Sequence, residues 1–375
     1  MHYLDFAATT PVAAPVADVA DKVLRTFYAN PSSLYLPGVE SEAVLNKARE
    51  TVAHTLGCAP ETLRFTASGS EANNLAILGA CRAREKWAKH IVVTGYEHPS
   101  VQNVCKSLAD TGWSVTVVAP DRDGHVDRNA LTEAVTDRTA LVAAMQVNNE
   151  IGSILDVAAL ASAVKAKNSR TAVHVDGVQA WCKVPLCLAK TEIDSYAVSG
   201  HKIHAPKGVG ALYLRRGHYM LPVFFGGHQE QGFRPGTENI AYLAAMAKAA
   251  ALAQEHPFDP APLRERLLRG LAALPFVTLN SPADGYAGIV NFSVDGIKSE
   301  PMLHYLEERE IYVSSGSACS RGEASHTLSA MGLPKSRIDT ALRVSFGQGS
   351  TPEDVDALLC ALREGESVLA KLRRR

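Results

Sequence analysis

The chain is predicted to be an α/β protein, a mostly parallel sheet sandwiched by helices with a smaller α+β unit behind it. Three observations predict this. Seven short apolar segments, nearly continuous and rich in β-branched residues, recur between residues 63 and 216. Strands buried on both faces have that pattern. Helical stretches separate most of them, and strand–helix alternation argues for parallel strands covered on both sides. The alternation then breaks at the prolines of "AQEHPFDPAP", residues 253–262.

The strand segments in order are "LRFTA" (63–67), "HIVVTG" (90–95), "SVTVVAP" (114–120), "ALVAAMQV" (140–147), "TAVHVD" (171–176), "DSYAVSG" (194–200) and "GALYLRR" (210–216). The helical stretches between them are "SEANNLAILGACRAREKWAKH" (70–90), "HPSVQNVCKSLADTG" (98–112) and "DVAALASAVKAKN" (156–168). Beyond the prolines come a helix (263–274), strands "FVTLN" and "GIVNFSV", a helix (301–310), the strand "IYVSS", a Gly/Ser-rich loop, "ALRVSFG" and a closing helix from residue 352. This order predicts a large domain over residues 15–255 and a small domain formed by 1–14 and 256–375. Internal repeats are not visible.

Composition excludes several classes. Lys and Arg number 38 against 39 Asp and Glu, a net charge of −1, so no bulk attraction to nucleic acid or an anionic membrane is implied. No apolar run approaches the roughly 20 residues that span a bilayer. The start "MHYLDFAATTPVA" has no basic n-region or long apolar h-region, so a signal peptide is not expected. Seven cysteines are scattered without a CxxC pair or a zinc-type Cys/His spacing, which predicts no metal site and fits a reducing cytoplasm.

The residues that could carry chemistry fall after the strands. In "YAVSGHKIHAPKGVGALYL", Ser199, Gly200, His201 and Lys202 directly follow a strand. A lysine there is costly unless paired or covalently used, although one reaching solvent would look the same. "AVHVDGVQA" ends a strand in Asp176, with Gln179 three residues on. Such a carboxylate points into the ligand crevice of an open α/β sheet, or caps the next helix. "FTASGSEANNLAI" is strand, turn and helix start, and the N–H groups of Gly69, Ser70 and Glu71 with the Ser70 hydroxyl would make a phosphate site. An empty helix end also prefers an early acid, so that motif is weak alone. His98 and the pair Asn148–Asn149 follow two further strands; a core histidine and turn asparagines are the plain alternatives. In a parallel sheet all these ends form one edge. A phosphate cradle, an aromatic face, an acid and a lysine converging there fit pyridoxal 5'-phosphate, which needs a Schiff-base lysine and an acid at its ring nitrogen. Separately, "SSGSACSRGEASH" (314–326) places Cys319 among glycines and serines, with Arg321 and Glu323 close behind. Free cysteine is more often buried as a small hydrophobe.

At these residues the chain resembles the cysteine desulfurases of the NifS/IscS kind, in the class-V, fold-type I group of pyridoxal-phosphate enzymes. The resemblance runs through "YLDFAATTPV", "NPSSLYLPG", "FTASGSEANNLAI", "EHPSV", "VNNEIG", "HVDGVQ", "SGHKIHAPKGVGALY", "GFRPGTEN", "SSGSACS" and "LRVSFG". It implies that Lys202 holds the cofactor, that Gly69, Ser70, Ser199 and His201 contact its phosphate, and that His98 stacks on its ring. Asp176 would keep the ring nitrogen protonated, and Gln179 would face the phenolic oxygen. Asn149 and Arg343 would hold the substrate carboxylate, a task suited to a planar guanidinium. Thr237 would reach the phosphate of a partner subunit, which implies a homodimer. Cys319 matches the nucleophile that takes sulfur from L-cysteine as a persulfide and passes it to an acceptor protein, an iron–sulfur scaffold or a thiolation enzyme.

The chain departs from the family pattern at Tyr35 (commonly histidine), Ala205 and His228 (glycines) and Gln231 (usually arginine), and its Cys319 loop is about two residues shorter than the housekeeping form. Fold alone does not separate a desulfurase from another class-V aminotransferase, lyase or epimerase, or from a non-catalytic scaffold relative. Cys319 argues against the first group, and the intact Lys202, Asp176 and His98 argue against the second.

Overall fold

The computed structural model describes residues 1–315 and 324–373. A two-residue strand, β1 (His2–Tyr3), leads into α1 (Ala14–Thr26) and α2 (Leu36–Leu56). Alternation follows: β2 (Leu63–Thr66), α3 (Gly69–Arg84), β3 (His90–Thr94), α4 (Pro99–Asp110), β4 (Ser114–Val118), α5 (Arg128–Glu133), β5 (Thr139–Met145), α6 (Val157–Lys167), β6 (Ala172–Asp176), β7 (Ser195–Ser199) and β8 (Gly210–Leu214). After α7 (Ile240–Glu255) come α8 (Ala261–Ala272), β9 (Val277–Leu279), β10 (Ile289–Val294), α9 (Ser299–Glu307), β11 (Ile311–Tyr312), the short α10 (His326–Ala330) and α11 (Lys335–Ile338), β12 (Ala341–Ser345) and α12 (Pro352–Arg373).

The main sheet has the strand order β2-β8-β7-β6-β5-β3-β4. β8 is antiparallel to both of its neighbours, and every other pair is parallel. Two reversals cancel, so β2 runs with β7, and the C-terminal ends of β2, β7, β6, β5, β3 and β4 share one edge. The reversed strand is the predicted segment "GALYLRR". Residues 200–209 between β7 and β8 are too few for a parallel crossover, which needs about a dozen or more.

Every residue of β5, β6 and β7 is buried, as their apolar runs predict. "SVTVVAP" carries the same composition, yet β4 is an edge strand with Val117 59% exposed. Valine and threonine suit any pleated surface, so composition does not separate edge from centre. One apolar core lies on the main sheet, with Val92, Val142, Val175 and Tyr196 among its members. A second gathers Leu4 with Leu267, Phe292, Met302, Leu342 and Leu358. Leu4 arrives there because β1 pairs in parallel with β11. Among the described residues, no helix is long and apolar enough to cross a membrane.

Candidate active site

The shared strand edge carries many of the predicted residues. α3 begins there because Ser68 caps it, accepting the Glu71 N–H at 3.1 Å, while Glu71 Oε2 accepts the Ala67 N–H at 3.1 Å. This is a close variant of a capping box. The first N–H groups of a helix have no partner within it, so this 16-residue helix presents donors and a positive dipole end. Gly69 is required at that point. A Cβ there would sit 2.5 Å from Val178 Cγ2 and 3.4 Å from Ser199 Cβ. Ser199 is buried at the end of β7, and Ser70 is exposed at the mouth.

Asp176, 3% exposed, ends β6. Its Oδ1 accepts the Val178 N–H at 3.0 Å, so it also serves the plainer role of capping the next turn. Its Oδ2 accepts from Asn73 Nδ2 at 2.8 Å. His98 caps α4, its Nδ1 accepting the Ser100 N–H at 3.1 Å, with Pro99 at the favoured first helical position. Gln179 Nε2 donates to Ala7 O at 2.8 Å, and Gln179 Oε1 accepts from Lys183 Nζ at 3.2 Å.

Lys202 does not reach out to solvent. Its Nζ donates to the carbonyls of Ala7 and Ala8 at 2.6 and 2.7 Å. The same N-terminal segment meets His201, whose Nδ1 lies 3.2 Å from Thr9 Oγ1. Burial, followed by the charges of Lys202, Lys207 and Lys183, pushes His201 down to about 3, so its ring is neutral. Burial likewise lowers Lys183 to about 8.

Asn148 is a structural turn residue: its Oδ1 accepts the N–H groups of Glu150 and Ile151 at 2.8 and 2.9 Å. Asn149 is placed by its backbone, its carbonyl accepting from Arg343 Nη1 at 2.9 Å. Arg343 is 1% exposed, and its Nη2 pairs with Asp5 Oδ1 at 2.7 Å. Its backbone exchanges two hydrogen bonds with Ser314, at the start of the Gly/Ser-rich loop. Cys319 lies outside the described residues, as do Arg321 and Glu323. Thr237 is exposed; Arg234, three residues before it, donates to Glu71 Oε1 at 2.7 Å and so ties its segment to α3.

The positions that depart from the family pattern are accommodated locally. Ala205 is buried, its Cβ 3.0 Å from where a Cβ on Gly200 would stand. Tyr35 is 59% exposed before α2. His228 precedes a tight turn (Gln229–Gly232) whose Glu230 and Gln231 take left-handed backbone angles, and Gln231 accepts from Arg64.

Sequence reasoning missed several participants. Asn73 and His174 lie beneath the edge, Glu97 beside His98, and Asp5, Ala7, Ala8 and Thr9 on the N-terminal segment. The four N-terminal residues stand within the quoted "YLDFAATTPV", but no periodicity marks an extended strap as part of a site. Among the described residues, no group of three or more His, Cys, Asp or Glu is placed to hold a metal ion.

The arrangement fits a phosphorylated pyridine aldehyde. A cradle closed to any Cβ at Gly69, a buried acid at a strand end and an amine after the next strand are what such a group requires. A cleft of about 410 Å³ over Ser70, His98 and Ser100 borders this edge, and one of about 430 Å³ reaches Lys202 past Lys183, Phe6 and Phe346.

The fold and this edge define an enzyme of the aminotransferase class-V family, to which the chain belongs: the family model matches residues 2–358. Within it, the chain is 41% identical over 364 residues to cysteine desulfurase 2 of Trichormus variabilis, covering 95% of this chain and 91% of that one. It is 37% identical to cysteine desulfurase IscS of Methanosarcina thermophila, covering 99% and 92%. Among solved structures, a NifS-like protein matches with a TM-score of 0.91 at 34% identity, covering 98% of this chain and 99% of the other. SspA in complex with cysteine matches with a TM-score of 0.82 at 29% identity, covering 92% and 99%.

Proposed function

We propose that this chain is a pyridoxal-phosphate-dependent cysteine desulfurase that converts L-cysteine to L-alanine, leaves the sulfur as a persulfide on Cys319 and passes it to an acceptor protein. The observation that carries the reading is the set of Lys202, Asp176 and His98 on one sheet edge. It occurs in a chain that matches desulfurases over nearly their whole length.

Lys202 would hold the cofactor covalently, with Gly69, Ser70, Ser199 and His201 at its phosphate, His98 on its ring, and Asp176 and Gln179 at its ring nitrogen and phenolic oxygen. When bound, the cofactor supplies an electron sink for the pair left at the substrate Cα. Arg343 and Asn149 hold the substrate carboxylate by charge-assisted hydrogen bonds. The Lys202 amine would take the Cα proton and later return it. The Cys319 thiolate attacks the substrate sulfur, forming an S–S bond as the Cβ–S bond breaks. The carbon side gains the protons that make alanine. Cysteine and the enzyme thiol thus become alanine and the enzyme persulfide.

A homodimer with shared sites completes the reading. It is supported by Leu34, Tyr35, Leu36 and Phe225, which are 97%, 59%, 70% and 78% exposed, and by the exposed segment of Thr237. Residues 1–14 and 256–375 act as one small domain, supported by Leu4 in the second core. The acceptor is an iron–sulfur scaffold or a thiolation enzyme, and the setting is the cytoplasm.

The test is turnover of L-cysteine with a reductant. Sulfide and alanine are expected in equal amounts. Cys319→Ser should keep the cofactor's absorbance and lose sulfide release, and Lys202→Ala should lose the borohydride-trappable cofactor. Full turnover by Cys319→Ser would overturn the persulfide route.

A further inference from the structure

A chain of buried polar groups runs beneath the site, and Asn73 is its hub. Asn73 is 1% exposed, in the second turn of α3. Its Nδ2 donates to Asp176 Oδ2 at 2.8 Å and to Ser100 Oγ at 2.9 Å, and its Oδ1 lies 3.0 Å from His174 Nε2. Each Asp176 oxygen takes a donor, the Val178 N–H on Oδ1 and the Asn73 amide nitrogen on Oδ2, so the amide has one orientation, with nitrogen towards Asp176. Its oxygen therefore faces His174, whose Nε2 must carry the proton. His174 Nδ1 then accepts from Ser195 Oγ, 2.9 Å away. Burial holds His174 down to about 3, so it stays a neutral imidazole with a fixed donor and a fixed acceptor.

The other arm reaches His98. Ser100 Oγ accepts from Asn73, so its hydroxyl proton is left for His98 Nδ1 at 2.9 Å. The backbone N–H of Ser100 points at the same nitrogen. Two donors converge on Nδ1, and a neutral His98 must therefore carry its proton on Nε2.

We propose that Asn73 is a positioning residue that orients two cofactor-contacting side chains at once, aiming Asp176 and setting the tautomer of His98. This rests on the pyridoxal-phosphate reading above and deepens it. A single buried amide links the acid expected at the ring nitrogen to the imidazole expected on the ring face. His174 and Ser195, on β6 and β7, lock that amide from below. Buried networks of this kind either specify one geometry or fail together, because each member's loss strands its neighbours.

Among the described residues, the titratable groups near His98 include Glu97 on its own turn, His201 after β7, and Asp176 through Asn73 and Ser100. Asn73→Ala neither adds nor removes a charge, so a shifted pH profile in that variant would come by way of Ser100 and Asp176.

The experiment compares wild-type holoenzyme with Asn73→Ala, Asn73→Asp, Ser100→Ala and His174→Gln. It reads pyridoxal-phosphate affinity by absorbance, the pH profile of kcat/KM for L-cysteine, and thermal unfolding. Asn73→Ala should bind the cofactor about 10–100-fold more weakly, as for partners that orient ligand-holding side chains. Its pH profile should shift on the limb that Ser100→Ala also moves. Asn73→Asp, similar in shape, should behave likewise because it sets a second buried carboxyl group against Asp176, and two such groups share one proton. His174→Gln keeps a donor to Asn73 and should retain most affinity. Folded Asn73→Ala and Asn73→Asp with wild-type affinity and pH profile would overturn the proposal. Should both fail to fold, ¹⁵N NMR of wild-type holoenzyme decides: a proton on His98 Nδ1 refutes it. A wild-type protein that neither binds pyridoxal phosphate nor releases sulfide refutes the desulfurase reading instead.

Discussion

Gly177 offers the sharpest structural test, because it sits between Asp176 and a fully packed phenol. A Cβ added there would lie 1.9 Å from Tyr196 Cζ, 2.1 Å from Cε1 and 2.3 Å from the hydroxyl oxygen. Tyr196 is 1% exposed in the main core, and its hydroxyl donates to Gln146 Oε1 at 2.5 Å. The ring must move for Ala to fit. Overpacking costs about 1–3 kcal/mol. Moving the phenol also strands its hydroxyl and the Gln146 amide, which is 3% exposed, for about another 1–3 kcal/mol. Gly177→Ala should therefore lose about 2–6 kcal/mol, a large share of the roughly 5–15 kcal/mol that holds a native protein together. Urea unfolding followed by tryptophan fluorescence measures it. The cost should shrink in a Tyr196→Ala background, where the obstructing ring is gone; a double-mutant cycle reads that coupling. A Gly177→Ala protein within about 0.5 kcal/mol of wild type, the range of inert surface changes, would refute the steric argument.

Three further outcomes are expected. Glu230→Gln removes the partner of Arg49 Nη2, 2.6 Å away, in a pair whose side chains are 17% (Arg49) and 2% (Glu230) exposed. It should cost about 3 kcal/mol in urea unfolding, since a stranded buried charge is worth about 3–5. Burial pushes Glu97 up to about 8, so the native state binds the extra proton and its stabilisation is lost as pH rises through 8. Wild type should lose about 1.4 kcal/mol between pH 7 and 9 relative to Glu97→Gln, from one pKa unit of linkage; parallel pH curves for the two would reject the shift. Burial raises the thiols of Cys58 to about 11, of Cys105 and Cys182 to about 12, and of Cys81 further. Because the thiolate reacts, iodoacetamide at pH 8 should spare these four in mass spectra of the folded protein.

Much of the site was legible before the fold. Gly69, Ser70, His98, Asn149, Asp176, Ser199 and Lys202 each end or follow a strand, and in parallel strands that position alone brings them to one edge. The reversal of β8 did not disturb this, since Lys202 precedes it. Less legible were the roles that local sequence leaves ambiguous. Asp176 both caps a turn and meets Asn73, whereas Asn148 holds its own turn with Oδ1 and ties it to Tyr96 O with Nδ2. β4 reads like a central strand and lies at the edge, because β-branched composition suits both.

By itself the sequence determined the alternation of strand and helix, the helix starts in "FTASGSEANNLAI" and at His98, and which residue types reach the sheet edge. These are local matters of periodicity, capping and strand polarity. Only the tertiary structure decided the partners: Lys202 on Ala7 and Ala8, Arg343 on Asp5, and Asn73 between Asp176, Ser100 and His174. Many of these pairs are separated by more than a hundred residues. Their meeting depends on how sheet, helices and N-terminal segment pack, and no local pattern encodes that.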